Sequence, residues 1–156
     1  MANSIPVAQT LDLLGIPYRL FEYSHPSKSF GEAARQRGQT TGQIVRSIVF
    51  RLAEGQFIMV LMAGRGQISR KHLRAALGIA RISMASGVEV LAATGFVRGA
   101  VTPLGLTRPI RILADESVFM NNEISIGSCV RGVAIILKSM DLQVALDQIE
   151  IGKFGV

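Results

Sequence analysis

Apolar positions recur along the chain at two spacings, and the switches between them predict its elements. Val7, Leu11 and Leu14 follow Pro6 at helical spacing and the run stops at Gly15, which predicts a first helix. Tyr18 to Tyr23 alternates as a strand does and closes on the turn-forming Ser24-His25-Pro26-Ser27. Ser29-Phe-Gly-Glu32 has capping-box spacing and opens a short helix through Arg35 that stops at Gly38. Two β-rich alternating runs, 44–52 and 57–62, flank Glu54-Gly55 and predict an antiparallel hairpin.

Further on, Ser69 caps a basic helix that runs to Leu77 and ends at Gly78. A second capping box, Ser86-Gly-Val-Glu89, starts a helix that ends at Gly95. A loop punctuated by glycine and proline follows, from Gly99 to Gly105. Short strands are predicted at 110–113, 123–126 and 133–137, and a last helix from Ser139 through Leu146. Strands outnumber helices and several look hairpin-connected. The fold class expected is therefore mixed α/β (α+β), a single domain with a largely antiparallel sheet flanked by helices.

Composition narrows the chemistry. The chain has 156 residues, 49% of them hydrophobic and 18% charged, a core-rich balance far from that of disordered chains. One cysteine, Cys129, excludes an intrachain disulfide and argues against a cysteine-ligated zinc. Two histidines, His25 and His72, argue against a multi-histidine metal centre. No apolar run approaches the ~20 residues of a membrane helix. The opening Met1-Ala-Asn-Ser-Ile-Pro lacks the basic-then-apolar order of a signal peptide, so a cytoplasmic location is expected.

Charge adds a direction. The formal net charge is +6. Between Gly55 and Ala114 lie eight basic residues, Arg65, Arg70, Lys71, Arg74, Arg81, Arg98, Arg108 and Arg111, against Glu89 alone. A one-sided basic stretch is a usual footprint of a nucleic-acid partner, although a solvated, solubilising surface reads the same way.

Several motifs offer chemistry. Gly64-Arg-Gly66-Gln-Ile-Ser69, between a strand and a helix, partly matches a dinucleotide fingerprint; it lacks the third glycine and reads equally as a flexible turn before a capped helix. Cys129 is either a nucleophile near Arg131 or a small inert buried side chain. His25 reads as a turn residue and His72 as a solvated member of the basic helix. The Gly99–Gly105 loop offers backbone amides that could polarise a carbonyl or hold a phosphate, or is a plain connection. Arg46 is a cation in an otherwise apolar strand, on the face of Ile44, Ile48 and Phe50; such a residue has a partner, lines a cleft, or snorkels from an edge strand.

Taken in order, the segments Leu14-Gly-Ile-Pro-Tyr18, Phe21-Glu-Tyr23-Ser-His25, Gln43-Ile-Val-Arg46-Ser-Ile-Val-Phe50, Gly99-Ala-Val-Thr-Pro103-Leu-Gly105 and Val130-Arg-Gly132 resemble the YbaK/EbsC family. That family comprises aminoacyl-tRNA deacylases similar to the editing domain inserted in bacterial prolyl-tRNA synthetases. The resemblance implies one curved, mostly antiparallel mixed sheet flanked by helices over residues 1–156. It implies hydrolysis of the ester of a mischarged tRNA, tRNA for proline carrying a small wrong amino acid, with no cofactor and no metal.

By the same resemblance, Arg46, Gly99, Ala100 and Pro103 are the candidate catalytic positions. Tyr23, His25, Val101, Thr102, Gly127 and Ser128 are candidate substrate contacts. Arg70, Lys71, Arg74 and Arg98 would bind the phosphates of the acceptor end. Three positions depart from the family pattern: Arg46 stands for its strand lysine, Gly127 for its pocket serine, and Ala134 for an aspartate of the cysteine-specific branch. Arginine keeps the charge but is a planar fork that cannot act as a base near neutral pH. Two functions therefore compete, a trans-acting deacylase and a non-catalytic module that binds aminoacyl-tRNA or a synthetase. The implied partners are the acceptor end of aminoacyl-tRNA and prolyl-tRNA synthetase, with the protein a monomer or a homodimer.

Overall fold

The computed structural model describes residues 5–53 and 55–156. Helix α1 (Pro6–Leu14) leads to β1 (Arg19–Glu22) and α2 (Phe30–Arg37), and then to the hairpin β2 (Val45–Ala53) and β3 (Gln56–Ala63). Helix α3 (Arg70–Leu77), β4 (Ser83–Met84) and α4 (Gly87–Thr94) follow. The chain closes with β5 (Arg111–Asp115), β6 (Glu123–Gly127), β7 (Val133–Lys138), α5 (Ser139–Leu146) and β8 (Glu150–Gly152).

The capping signals act where the sequence placed them. Ser29 accepts the Glu32 amide at 3.0 Å and Ser69 the His72 amide at 3.1 Å. Ser86 and Glu89 close a reciprocal box at 3.2 and 2.9 Å. Glycines 15, 38, 78 and 95 end their helices in the left-handed region. Helix α2 runs past Arg35 to Arg37, and this extension brings a further cation to the site described below. Leu14 departs from expectation: α1 buries Val7, Ala8 and Leu11, and Leu14 is 52% exposed.

The eight strands fall into two sheets, β1-β7-β6 and β4-β2-β3-β5-β8. Four of the six strand pairings are antiparallel. The hairpin register runs from Val45–Ala63 to Phe50–Ile58 and shifts between Arg51 and Ala53. The parallel pairs are β3 with β5 and β5 with β8, reached through long helix-bearing crossovers that local patterns do not announce.

β3 is covered on both faces, which explains its unbroken apolar run. Met59 and Leu61 pack in the larger core against Ile124, Ile126, Ile135 and Leu137 of the three-stranded sheet and Val7 and Leu11 of α1. Ile58 and Val60 point the other way, to Phe50, Leu73 of α3, Leu113 and Phe154. Full burial of each such side chain contributes about 1.5–3 kcal/mol.

Two features of this frame make the site. The edge of β2 away from β3 meets β4 only at Phe50 and Arg51, and meets β6 through the single bridge Ile44–Ser125. Between these contacts, at residues 46–48, no strand pairs with that edge of β2 among the described residues. Into that gap comes the loop after α4. It approaches β6 so closely that a Cβ on Gly127 would lie 2.6 Å from the Val101 carbonyl oxygen.

Candidate active site

The open edge of β2, the end of β6 and the loop after α4 enclose a cleft of about 420 Å³. Its walls are Arg37, Ile44 to Ile48, Gly99, Val101, Ile126 and Gly127. A smaller depression of about 110 Å³ shares Ser47, Ile48, Gly99 and Val101 with it and adds Val49, Met84, Ala85, Val90 and Arg98. Two arginines and no carboxylate line the larger cleft.

Polar groups left without partners concentrate here. Among the described residues, the buried side-chain atoms lacking a hydrogen bond are Arg46 Nε, Ser47 Oγ and Thr102 Oγ1. Two belong to the open stretch of β2 and the third to the loop that faces it. An unsatisfied buried donor costs about 1–3 kcal/mol, and a cluster of them marks a place held ready for something else.

Arg46 leans from β2 to donate Nη2 to the Gly66 carbonyl, tying the cleft to the turn between β3 and α3. Burial pulls its pKa below the ordinary guanidinium value, since desolvation disfavours the cation. It remains a charged fork, not a base.

The loop from Gly99 to Gly105 spends its amides selectively. Ala100 N–H closes a turn on the Val97 carbonyl at 3.0 Å, and Pro103 has no N–H. The backbone bonds of the loop use neither the Val101 nor the Thr102 amide. Gly99 takes φ +92°, a conformation that favours glycine. Ala100, Thr102 and Pro103 are buried, and only Gly99 and Val101 of this segment line the cleft.

Arg37, which the sequence reading passed over, supplies the second cation of the wall. Its Nε donates to the Tyr23 hydroxyl and its Nη1 to Ser125 Oγ at 2.5 Å. The guanidinium lies 5.2 Å from the Tyr23 ring centroid, and Tyr23 is braced edge-on by Phe21, also at 5.2 Å. Ser125 in turn donates to Gln39 Oε1 at 2.8 Å, and Gln39 Nε2 donates to Glu123 at 3.2 Å. Tyr23 is thus joined to the cleft through Arg37. No sequence signal isolated Arg37, because a cation in the last turn of a helix usually faces water.

The other candidate positions scatter. His25 is exposed, 3.1 Å from Glu32 at the start of α2 and outside the cleft wall. The Lys28 amide and then the His25 ring hold the Glu32 carboxyl below its usual range. Ser128 Oγ is consumed inside the β6–β7 turn, bonded to the Val130 and Val133 carbonyls at 2.9 and 2.6 Å. Arg98 borders the smaller depression and donates to the Ala85 carbonyl. Arg70 and Lys71 are exposed on α3, while Arg74 lines a separate depression with Arg51 and Arg81. His72 is exposed and its Nδ1 lies 3.1 Å from the Gly155 carbonyl.

Two alternative chemistries find no support in the geometry. β4, which follows α3, has only two residues and pairs with β2, not with β3, so Gly64–Ser69 does not sit between two adjacent parallel strands as a dinucleotide fingerprint does. The Gly66 carbonyl of that turn is occupied by Arg46, and the Ser69 amide donates to Phe154. Cys129 sits half-buried at φ +69°, and burial pushes its thiol pKa up, the reverse of what a nucleophile needs. Among the described residues no group of three or more His, Cys, Asp or Glu side chains could hold a metal, and no helix is long and apolar enough to cross a membrane.

The chain is similar to the proline–tRNA ligase of Trichlorobacter lovleyi, with 33% identity over 101 residues, 65% of this chain and 18% of that protein. It is 32% identical over 97 residues to protein YwhH of Bacillus subtilis, covering 62% of this chain and 61% of that one. The chain therefore spans under a fifth of the ligase it matches and about three-fifths of YwhH. A solved structure described as a candidate trans-editing enzyme for prolyl-tRNA synthetase has the same fold, with a TM-score of 0.87 over 99% of this chain and 96% of that one, at 24% identity. The family model for the aminoacyl-tRNA editing domain matches residues 24–145, from the turn after Tyr23 to the last turn of α5, and the chain belongs to that family.

Proposed function

We propose that the protein is a trans-acting aminoacyl-tRNA deacylase that removes a small wrong amino acid from tRNA for proline. The observation that carries this reading is the convergence of Arg46, the Gly99–Val101 segment and Gly127 on one cleft in a chain of the editing-domain family. An aminoacyl ester is already activated, so its hydrolysis needs no protein nucleophile, only a fixed carbonyl and an attacking water. The Val101 amide, unspent within the loop and on the cleft wall, is the donor for the developing oxyanion. A well-placed donor of this kind contributes about 3–4 kcal/mol in other acyl-transfer sites.

Ala100 and Pro103 act by shaping the loop, one by closing its turn and the other by fixing φ. Arg46 supplies fixed positive charge toward the ester. With no side chain in the wall able to act as a base, the water is oriented by loop carbonyls and by the ribose hydroxyl and amino group of the substrate. The apolar walls from Ile44, Val45, Ile48, Val101 and Ile126 suit a small side chain. The cationic α3 residues Arg70 and Lys71, with Arg74 and Arg98, receive the acceptor-end phosphates.

The test is release of amino acid from tRNAs charged with alanine, cysteine, serine, threonine and proline. Selective loss of one mischarged species supports the deacylase. Retention of every ester together with tight binding of the charged end would instead assign a non-catalytic binding module.

A further inference from the structure

We propose that Arg37 holds an oxyanion in the cleft, and that this oxyanion is the phosphate 5′ to the terminal adenosine of the RNA; the identity of the ligand rests on the deacylase reading. The two cleft arginines are spent differently. Arg46 is desolvated, with Nε sealed and Nη2 committed to the Gly66 carbonyl. Arg37 uses Nε and Nη1 on two hydroxyl oxygens, Tyr23 and Ser125, and its Nη2 has no bond among the described residues. Three of the five N–H donors, both on Nη2 and the second on Nη1, therefore remain on a half-buried guanidinium that lines the cleft.

Among the described residues no acid neutralises this cation: Arg37 is in no ion pair and no carboxylate lines the cleft. The acid of the surrounding network, Glu123, is engaged by Gln39 and lies 3.5 Å from Arg19. The group is also held in place, stacked against a ring that Phe21 braces and pinned by two hydroxyls. A positioned, unpaired guanidinium at the wall of a cleft free of acids is a receptor for phosphate, with little entropy left to lose on binding.

The experiment is titration calorimetry with adenosine, adenosine 5′-monophosphate and the trinucleotide CCA, in which the terminal adenosine carries the same phosphate as a diester. Wild-type protein is expected to bind the monophosphate at least about 10-fold tighter than adenosine, as one charged hydrogen-bonded contact implies, and CCA at least as tightly. Arg37→Ala should abolish the advantage of phosphate over adenosine while leaving adenosine affinity unchanged; Arg37→Lys should keep part of it. Tyr23→Phe, which removes one brace, should lower it by a smaller factor.

Equal affinity of wild type for adenosine and its monophosphate, or an advantage that survives Arg37→Ala, overturns the proposal. Tighter binding of the monophosphate than of CCA would assign a free nucleotide and overturn the RNA assignment. Binding is read without hydrolysis, so an inert protein that still discriminates through Arg37 fails only as a deacylase. Thermal melts of each variant confirm folding.

Discussion

The Val101 carbonyl sits where a side chain at Gly127 would have to begin: a Cβ built there would lie 2.6 Å from the oxygen. The loop bearing Val101 and the end of β6 thus form one wall of the cleft, and the absence of a side chain is a condition of the contact. This accounts for one departure from the resembled family, since a serine here would collide with backbone rather than reach substrate.

Gly127→Ser should therefore fail to restore a pocket hydroxyl. It should displace the loop, lower stability by about 1–3 kcal/mol as overpacking does, and cut deacylation more than it cuts binding of the tRNA body. Thermal unfolding alongside kcat/KM on the accepted substrate reads both effects. A serine variant as stable and active as wild type would show that the loop does not rest on Gly127.

Much of the frame was legible in the residues. The helix caps at Ser29, Ser69 and Ser86 and the hairpin on either side of Gly55 followed from local chemistry, because each is decided within a few residues. Arg46 stood out for the same reason, as one cation in an apolar strand. Long-range placement was not legible. Strands β4 and β8 have two and three residues and carry no periodicity of their own, and the parallel pairing of β3 with β5 depends on a crossover of nearly fifty residues. Arg37 was invisible because its meaning lies in Tyr23 and Ser125, 14 and 88 residues away.

Salt should weaken tRNA binding steeply. Arg70 and Lys71 are exposed on α3 and in no ion pair among the described residues, so each is available to a phosphate. Replacing either with alanine should weaken binding and reduce the log–log salt slope by roughly 1. Filter binding from low to moderate salt measures the slope. An unchanged slope in both variants would place the phosphates elsewhere on the surface.

Asp115 gives stability an acid limb. Burial works against its charge, but hydrogen bonds from Ser117 and the Phe154 amide, at 3.0 and 2.7 Å, hold the carboxyl below its ordinary pKa. A depressed carboxyl contributes fully above its unfolded pKa of about 3.9 and loses that contribution as pH falls through the lower folded value. Asp115→Asn should cost about 1–3 kcal/mol near neutrality and flatten the decline in stability below pH about 4. Urea unfolding of both proteins across that range checks the sign; parallel acid limbs would contradict it.

The proposed function requires this cleft to hydrolyse the ester of a mischarged tRNA with Arg46 as a fixed cation. Its most direct test is single-turnover deacylation of tRNA for proline charged with alanine, cysteine, serine or threonine, beside correctly charged prolyl-tRNA, by wild type, Arg46→Lys and Arg46→Ala. Selective hydrolysis of a mischarged species is expected, with a loss of about 10- to 100-fold in Arg46→Ala for one charged contact and partial activity in Arg46→Lys. No hydrolysis by wild type, with activity appearing only in Arg46→Lys, would contradict it and leave a binding module in its place.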